Sequence, residues 1–595
     1  MTEINLLPPP KNVEHLGGSV SLASLFPKYR DSPELSGRSV ESYRILINRD
    51  ECTVEFGGEA GAYYARKTLE QLERTCGESI PCMVIEDWPD YPVRGLYHDI
   101  TRGKVPTLET LKHLADICSQ YKLNQLHLYI EHTYAYEAFP NVWQDADPLT
   151  KEEILELDTY CRERHIELVP SFTTFGHFYP FIHTKRFQHL NELEREVSGE
   201  PFNWWDRMQH YTLDCQNPES IELIRTLIEE VRPLFSSNKF NICADETFDL
   251  GKGKNKELAE RVGKGRLYLD FVSQVIKIVQ SVGSTPMMWA DIVGKNVDLL
   301  PEVPHDVIFL DWSYNSDLKG SIADALATHG CTFYVCSGTS SWNRFLPDYA
   351  NAHENICKLA KRGKEHGACG HLVTDWGDFG HIAPLALSFP GLILAATVSW
   401  DTDSADQPRE VLEADISRIS FGDETGRLLT QLREASEASL PIWRSLAFWK
   451  QPRSYDMPDS WFDSVSGLPD MFFSHDFRSH KHALEQLMAA KPELQQCLKN
   501  ARMPDALAKE EILFALDISV ACEELALCLF DYAGRNGDNQ ATPDPVECAG
   551  KWRELESRFG EVWHARNKPS EYREIAKVIQ AIVSELESMP KKTKE

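Results

Sequence analysis

The pattern that indicates the fold is a β-α-β unit, which is clearest between residues 125 and 172. The apolar runs QLHLYI (125–130) and ELVPSF (167–172) each have the length of a buried strand. Between them lies Lys151–Arg164, whose apolar residues recur with helical spacing. Two parallel strands joined by a crossover helix are the repeating unit of α/β proteins. The number of repeats therefore identifies the architecture.

The unit repeats eight times. The predicted strands are Gly95–Asp99, Gln125–Ile130, Glu167–Phe172, Phe240–Ala244, Thr285–Trp289, Val307–Trp312, Phe333–Cys336 and His371–Thr374. Helical patterns separate them, although the segment after the fifth strand is short and poorly patterned. Eight β-α units predict an α/β fold of the (β/α)8 TIM-barrel type. An open doubly wound sheet is the alternative, but DITR (99–102) is not the Gly-rich turn that such a sheet carries after its first strand.

Three domains are predicted, because 595 residues exceed what one hydrophobic core supports. Residues 1–90 are expected to form a small α+β domain, with strands Tyr43–Ile47 and Cys52–Phe56 and a helix over Ala60–Leu72. Residues 91–400 would be the barrel. Beyond Trp400 the strand patterns stop and long helical patterns follow, so residues 401–595 are predicted to be a helical C-terminal domain.

Composition excludes several classes of partner. The formal net charge of −29 argues against nucleic acid and anionic membranes, which both require a positive surface. No apolar run approaches the roughly 20 residues needed to cross a bilayer. Residues 1–11 lack a secretory-signal pattern, and the fifteen cysteines are scattered without a C-x-x-C pair. We therefore expect a cytoplasmic protein with reduced thiols. Whether it forms a homodimer is left open by the sequence.

Enzymes with this barrel place their active residues at the carboxyl ends of the strands. That rule selects Asp99, Arg102, Glu131, His132, His177, Asp245, Glu246, Trp289, Asp291, Asp311, Trp312, Tyr314, Trp342, Asp375, Trp376 and Asp378. Carboxylates and arginine bind sugar hydroxyls, whereas indole rings stack on the apolar faces of a sugar. The set therefore predicts a carbohydrate pocket.

The adjacent acids Asp245 and Glu246 follow the apolar run FNICA (240–244). Two other adjacent acidic pairs, at 50–51 and 423–424, lie outside the predicted barrel and are interpreted as solvated surface. The alternative role for Asp245 is that of a helix N-cap. Because a charged pair directly after a buried strand needs a reason to be there, we expect Asp245 and Glu246 to be catalytic.

These segments resemble glycoside hydrolase family 20. RGLYHDITR (94–102) resembles the R-G-x-x-x-D-x-x-R opening of that family, and Asp245-Glu246 stand where it carries an Asp-Glu pair. EHTY (131–134), DWSY (311–314) and WGD (376–378) resemble a less typical branch that includes bacterial exo-hexosaminidases and relatives of hexosaminidase D. GAYYARKTL (61–69) resembles the small domain that precedes such barrels. The similarity covers about residues 40–400.

The resemblance implies a retaining exo-β-N-acetylhexosaminidase that removes terminal β-linked GlcNAc, GalNAc or both. Two neighbouring residues cannot easily flank a sugar as nucleophile and acid, so the 2-acetamido oxygen of the substrate would attack C1 and form an oxazolinium ion. Asp245 would hold the acetamido N–H and stabilise its developing positive charge. Glu246 would protonate the leaving oxygen and then deprotonate water.

The resemblance also implies the substrate-binding residues. Tyr314 would donate to the acetamido carbonyl, and Arg102 and Asp378 would bind the hydroxyls of the non-reducing end, which makes cleavage exo. The remaining members are the pocket walls Trp289, Trp312, Trp342 and Trp376, and the pair Glu131 and His177, expected to form a relay to Glu246. The alternative for His177 is a core histidine satisfied by a backbone carbonyl.

The sequence departs from the family pattern at two places. Two rival interpretations of its function are also open. NICA (241–244) replaces the usual His-x-Gly-Gly, and Ala244 in place of glycine is expected to narrow the approach to the sugar. Glu131-His132 replaces two acids. One rival is a barrel glycosidase with Asp291 or Asp378 as nucleophile; the other is a carbohydrate-binding protein without turnover. No cofactor and no metal are expected, since no H-x-H ends the first strand.

Overall fold

The N-terminal region is a five-stranded sheet covered by a helix. The computed structural model describes residues 5–21, 25–77, 79–537 and 541–589. The strands are β1 (Asn12–Val20), β2 (Lys28–Asp31), β3 (Tyr43–Ile47), β4 (Cys52–Phe56) and β5 (Ile80–Asp87), in the order β1-β5-β3-β4-β2. The helices are Pro33–Arg38 and Glu59–Cys76. β1 and β2 are exposed along almost their whole length and so lack the alternating pattern that reveals β3 in the sequence.

Eight parallel strands close into a barrel, which confirms the predicted fold class. They are β6 (Val93–Asp99), β7 (Gln125–Ile130), β8 (Glu167–Phe172), β9 (Lys239–Asn241), β10 (Thr285–Trp289), β11 (Ile308–Trp312), β12 (Thr332–Gly338) and β13 (Gly370–Asp375). β13 pairs with β6 and closes the ring. β9 is shorter than the predicted strand Phe240–Ala244, because Cys243 and Ala244 have φ of 55° and 63°, which a strand cannot continue.

Helices surround the barrel and connect its strands. They are Leu108–Gln120, Pro140–Trp143, Lys151–Arg162, Tyr179–Ile182, Trp204–Gln209, Pro218–Val231, Lys256–Val262, Lys264–Ser281, Asp291–Gly294, Ala323–Thr328, Tyr349–Glu365 and Phe389–Trp400. The single predicted helix Lys256–Val282 is two helices, because Gly263 has φ of 88° between them. Trp400, at the end of the last helix, packs into the core of the N-terminal sheet and donates to Asp87 of β5 at 2.8 Å.

The C-terminal region is helical. Its helices are Arg409–Phe421, Leu428–Ala438, Trp443–Lys450, Phe477–Asn500, Ala508–Tyr532, Pro545–His564 and Tyr572–Ser588. They do not form an isolated core. Leu412 and Leu432 pack into the hydrophobic cluster that surrounds the barrel, whereas Trp443 and Trp563 share a second cluster with Trp204 of a barrel loop. The last six residues of the predicted C-terminal domain, 590–595, lie outside the described residues.

One extended segment of the C-terminal region runs along the mouth of the barrel. The backbone N–H of Thr107 donates to the carbonyl of Arg566 at 2.9 Å, and that of Lys568 donates to Val105 at 2.8 Å. The N–H of Glu571 donates to the carbonyl of Gly103 at 3.2 Å. These bonds place Glu571 beside the loop that follows β6.

Two global properties follow from the described residues. All fifteen cysteines are free thiols, and none of them forms a disulfide. No helix in the described ranges combines the length and the apolar character needed to span a membrane.

Candidate active site

The two adjacent acids lie on a strained turn beyond the end of β9. The backbone N–H of Ile242 donates to Met287 at 2.9 Å and that of Trp289 to Cys243 at 3.1 Å, so the segment still follows β10. Ala244 and Glu246 both have positive φ, of 63° and 46°. Left-handed backbone at non-glycine residues costs energy and concentrates at functional sites. The turn directs both carboxylates into the mouth of the barrel.

Ala244 does not narrow the pocket. Its side chain is fully buried, and its carbonyl accepts a hydrogen bond of 2.9 Å from the hydroxyl of Tyr268. The cost of alanine at this position is therefore backbone strain, and the expectation of a narrowed approach to the sugar is wrong. The close approach occurs at Gly176 instead: a Cβ there would lie 2.6 Å from the carbonyl oxygen of Asp245.

The two carboxylates differ in exposure. The side chain of Asp245 is 12% exposed, whereas that of Glu246 is 31% exposed. Asp245 Oδ1 is buried and has no hydrogen-bond partner among the described residues. Buried acceptors are almost always satisfied in proteins. This oxygen is thus prepared to accept a donor that the chain itself does not supply.

His177 lies between the two carboxylates. Its Nε2 is 3.4 Å from Glu246 Oε2 and 3.8 Å from Asp245 Oδ2, and its side chain is almost fully buried. Burial by itself lowers the pKa of His177, but the interactions with Asp245 and Glu246 outweigh it and raise the pKa to about 10. His177 is therefore a cation at neutral pH, and it lowers the repulsion between the two acids.

Arg102 and Asp378 face each other across the other side of the mouth. The guanidinium of Arg102 lies 5.0 Å from the ring centre of Trp376, and its Nε has no hydrogen-bond partner in the described part of the chain. Burial raises the pKa of Asp378 to about 6. Arg102 and Arg444 oppose that rise, whereas Asp99 and Glu246 add to it. Asp378 has φ of 46°, so it too lies on a strained turn.

Aromatic rings form the walls. Trp312 stacks on Tyr314 at 5.0 Å between ring centres, and Trp342 contacts Tyr314 at 5.3 Å. Trp376 Nε1 donates to the hydroxyl oxygen of Tyr314 at 2.8 Å. Since Tyr314 accepts this bond, its own proton remains for another acceptor. Trp289 completes the wall at 5.9 Å from Trp376.

These side chains line one cavity of about 360 Å³. Its lining residues are Arg102, Met208, Gln209, Asp245, Glu246, Trp289, Trp312, Tyr314, Asn315, Lys319, Trp342, Asn343, Trp376, Asp378, Phe379 and Arg444. Ligand sites in proteins have volumes from about 300 Å³ upwards, so the cavity is large enough to bind a small molecule. Nine of the eleven residues that were expected to act in catalysis or substrate binding line it.

The other two selected residues lie behind the cavity wall. His177 lies next to Asp245 and Glu246. Glu131 is fully buried, and its Oε2 lies 3.5 Å from Arg207 Nε while its Oε1 lies 3.8 Å from Arg102 Nε. Among the described residues, no hydrogen bond or ion pair joins Glu131 to His177 or Glu246. The structure thus places Glu131 under Arg102 rather than in a relay to Glu246.

His132, where the family carries a second acid, receives a carboxylate from the C-terminal region. His132 Nε2 lies 3.3 Å from Glu571 Oε1, and Arg207 Nη1 donates to Glu571 Oε2 at 2.5 Å. Burial by itself raises the pKa of Glu571, but attraction to Arg207 and hydrogen bonding to His132 outweigh it and lower the pKa to about 2. The ionised carboxylate of Glu571 therefore lies next to His132, at the position where the family carries a second acid.

Sequence reasoning missed the residues that other segments bring to the mouth. Arg444 comes from the C-terminal helix Trp443–Lys450, and its guanidinium lies 5.4 Å from the ring centre of Phe379. Met208 and Gln209 come from the loop after β8. None of them belongs to a motif at a strand end, so no local signal in the sequence marks them.

Within the described ranges of the chain, two groups of side chains have the spacing needed to hold a metal ion. The ligand atoms of His177, Asp245 and Glu246 lie within 4.8 Å of one another, and so do those of Asp206, His210 and Asp456. The first group is the centre just described, where the protonated His177 occupies the role of a counter-ion. The second lies outside the cavity.

A closed parallel barrel that holds an acidic pair, an arginine and stacked indole rings around one cavity is typical of glycoside hydrolases. The catalytic-domain model of glycosyl hydrolase family 20 matches residues 91–342, and the model of domain 2 of the same family matches residues 28–88. The chain belongs to glycosyl hydrolase family 20, as the sequence motifs predicted.

Curated relatives match part of the chain. Beta-hexosaminidase subunit A2 of Dictyostelium discoideum is 24% identical over 343 residues, which cover 53% of this chain and 59% of that protein. A beta-hexosaminidase of Akkermansia muciniphila is 31% identical over 165 residues, or 24% of this chain and 33% of that protein. The chain spans about half the length, or less, of these relatives.

Solved structures share the fold. The chitobiase of Flavobacterium johnsoniae is 16% identical with a TM-score of 0.58, and the match covers 98% of this chain and 99% of that one. An exo beta-N-acetylglucosaminidase of Vibrio harveyi, solved with N-acetylglucosamine, is 19% identical with a TM-score of 0.56 over 72% of this chain and 77% of that one. At these identities the comparison shows the architecture alone.

Proposed function

We propose that the protein is a retaining exo-β-N-acetylhexosaminidase that uses the acetamido group of its substrate as the nucleophile. One observation carries the proposal: the buried, unpartnered Oδ1 of Asp245 lines the same cavity as Tyr314, whose hydroxyl accepts from Trp376 and keeps a proton that it can donate. One acceptor and one donor in an aromatic pocket match the N–H and the carbonyl of a 2-acetamido group. The curated relatives named beta-hexosaminidase support the same substrate class.

In the first step the acetamido oxygen attacks C1 as the glycosidic bond breaks. Glu246, the more exposed of the two acids, gives its proton to the leaving oxygen. Asp245 accepts the acetamido N–H and stabilises the positive charge that develops on the oxazolinium ring. Tyr314 donates to the acetamido oxygen and keeps it pointed at C1.

In the second step water attacks C1 and opens the oxazolinium ring. Glu246, now ionised, takes the proton of that water, so the enzyme returns to its starting state and the anomeric configuration is retained. Protonated His177 stabilises whichever acid is ionised at each stage. Trp289, Trp312, Trp342 and Trp376 exclude bulk water and hold the sugar faces.

Exo cleavage would follow from contacts to the hydroxyls of the terminal sugar. Arg102 and Asp378 are placed to bind hydroxyls of the terminal sugar, and Arg444 and Asn343 stand beside Asp378, with Asn343 Nδ2 at 3.3 Å from Asp378 Oδ2. Hydroxyls that are bound by these side chains cannot at the same time be linked to a further sugar unit.

A protein nucleophile is the second candidate. Asp291 is buried, and burial together with repulsion from Asp245 raises its pKa to about 7. A carboxyl group that is half protonated at neutral pH is a poor nucleophile, and Asp291 is not among the residues that line the cavity. Asp378 lines the cavity but is paired electrostatically with Arg102 and Arg444.

The test is release of 4-nitrophenol from aryl β-glycosides of GlcNAc, GalNAc and glucose by wild type, Asp245→Asn and Glu246→Gln. We expect turnover of the acetamido sugars alone, a loss of roughly 100-fold or more in both variants, and inhibition by a thiazoline mimic of the oxazolinium ion. Equal turnover of the glucoside would contradict the proposal and favour Asp291 or Asp378. Binding of N-acetyl sugars without any turnover would identify a carbohydrate-binding protein.

A further inference from the structure

A second cluster of metal-ligating side chains lies beside the loop that carries Arg207, Met208 and Gln209. Asp206 belongs to the helix Trp204–Gln209 and His210 follows it directly, whereas Asp456 comes from the C-terminal segment after the helix Trp443–Lys450. One ligand atom from each of the three lies within 4.8 Å of the others. The cluster therefore joins the barrel to the C-terminal region at the edge of the sugar cavity.

The imidazole of His210 is oriented as a metal ligand would be. Its Nδ1 lies 3.0 Å from Asp249 Oδ1, and Asp249 Oδ2 accepts the backbone N–H of Tyr211 at 2.7 Å. A carboxylate that accepts a hydrogen bond from Nδ1–H leaves the lone pair of the neutral ring on Nε2, which is the usual arrangement of histidine ligands. Nε2 faces Asp456 Oδ2 at 3.0 Å, and two such acceptors need a proton or a cation between them.

Asp206 supplies an independent observation. Its residue is only 6% exposed, and its Oδ1 has no hydrogen-bond partner among the described residues. Asp456 is differently placed: its Oδ1 accepts from Trp205 Nε1 at 3.1 Å and from Ser454 Oγ at 2.8 Å, which directs Oδ2 toward His210. A buried carboxylate oxygen without a hydrogen-bond partner, next to an oriented imidazole and an oriented carboxylate, is what an unfilled ligand set would show.

The imidazole of His210 lies among three carboxylates. Carboxylate oxygens of Asp249 and Asp456 each lie 3.0 Å from a ring nitrogen, and a ligand atom of Asp206 lies within 4.8 Å of those of His210 and Asp456. Arg195 is a positively charged neighbour of the cluster. Its guanidinium lies over the ring of Tyr455 at 3.7 Å and pairs with Glu200 at 2.5 Å.

We propose that Asp206, His210 and Asp456 form a structural site for a divalent transition metal such as zinc, with Asp249 holding His210 in the ligating tautomer. One imidazole nitrogen and two carboxylate oxygens leave a fourth, water-filled position in a tetrahedral site. Ligands about 2.0–2.2 Å from such an ion lie about 3.3 Å apart, close to the observed separation of His210 and Asp456. The ion would link the helix Trp204–Gln209 to the C-terminal segment that carries Asp456.

The test uses the full-length chain without a histidine tag, after treatment with a chelator. Zinc binding is measured by calorimetry and by metal content after gel filtration, and the melting temperature is recorded with zinc and with EDTA. We expect one equivalent in wild type, a loss of affinity of at least tenfold in Asp206→Asn and His210→Gln, and a loss of roughly 10- to 100-fold in Asp249→Asn. Zinc should raise the melting temperature of wild type but not of Asp206→Asn.

Two control variants make the result specific. His189→Gln removes an exposed histidine that contacts Glu219 at 2.9 Å and should bind zinc as wild type does. His177→Gln disrupts the other cluster with ligand spacing and should also retain the equivalent. Asp206→Asn is nearly isosteric and removes no hydrogen bond of Oδ1, so it keeps the test valid if His210→Gln fails to fold.

Two results would overturn the proposal. Zinc binding that is lost in His177→Gln but kept in Asp206→Asn would assign the ion to the sugar site. The absence of any bound equivalent, with a melting temperature that neither zinc nor EDTA changes, would show that protonated His210 holds the cluster together by itself. Both readouts are independent of hydrolytic activity, so a failure of the proposed enzymatic function would leave them unaffected.

Discussion

Glu571 and Arg207 form an ion pair that connects the C-terminal region to the sugar cavity: Arg207 Nη1 lies 2.5 Å from Glu571 Oε2, and both side chains are buried or nearly so. Arg207 in turn contacts Glu131, and Glu131 lies beneath Arg102, which lines the cavity. A residue more than 460 positions away from Arg102 in the chain therefore helps to fix its guanidinium.

Glu571→Gln should lower kcat/KM on an aryl β-GlcNAc substrate by roughly 10- to 100-fold, mainly through KM. The neutral side chain cannot compensate the charge of Arg207, and displacement of Arg102 by even 1 Å weakens substrate positioning. Steady-state kinetics measure the effect. Glu585→Gln, which removes a pair with Lys450 at 2.8 Å in the helix that follows Glu571, is the control. Equal kinetics of the two variants would show that Glu571 has no part in positioning.

Gly176→Ala should reduce kcat by roughly 100-fold with the fold retained. The new Cβ would lie 2.6 Å from the carbonyl oxygen of Asp245, so the strained turn that carries Asp245 and Glu246 must move. Kinetics and circular dichroism together measure the effect. Gly550→Ala, where no atom lies within 4 Å of the new methyl group, should leave both unchanged. Full activity of Gly176→Ala would mean that the turn tolerates displacement.

Tyr314→Phe should lower kcat by roughly 100- to 1,000-fold, because it removes the donor to the acetamido oxygen in the transition state. It also deprives Trp376 Nε1 of its acceptor, so a modest fall in melting temperature is expected. Tyr349→Phe removes a buried hydroxyl that donates to the Leu387 carbonyl at 3.0 Å, away from the cavity. It should reproduce the loss of stability but not the loss of kcat. If both variants lose activity equally, the role of Tyr314 is structural.

The acid limb of kcat/KM should lie near pH 6. The raised pKa of Asp378 means that this carboxyl becomes neutral as the pH falls through about 6, and the neutral form is a weaker acceptor for sugar hydroxyls. Asp378→Asn should lower kcat/KM at every pH and remove the limb. The pH profile of the variant measures this directly; an unchanged limb would assign it to another group.

Substitution of Arg444 tests the origin of the same acid limb of kcat/KM in a second way. Its positive charge opposes the rise in the pKa of Asp378, so Arg444→Gln should raise that pKa and move the acid limb to higher pH. Arg444→Lys keeps the charge and should leave the limb within a few tenths of a pH unit of wild type. A limb that stays in place in Arg444→Gln would show that the two side chains do not interact in solution.

The class of fold could be predicted from the sequence, and so could most of the residues that line the cavity. Eight apolar runs alternating with helical patterns require a parallel sheet covered by helices, because such strands are buried on both faces. The rule that active residues stand at strand ends then selected nine of the residues that line the cavity, Asp245 and Glu246 among them. Both inferences are local: each depends on residues that are close together in the chain.

The positions of these side chains depend on contacts that form only in the folded chain. The end of β9 at Asn241 depends on positive φ at Cys243 and Ala244, which no periodic pattern reveals. The partners Arg207, Glu571 and Arg444 come from segments far apart in the chain. Each is an ordinary charged residue in its own helix or loop, and it acquires a role only when packing removes it from water next to an opposite charge. Burial and proximity are properties of the folded chain, so the pKa values and the contacts that they govern could not be read from the sequence.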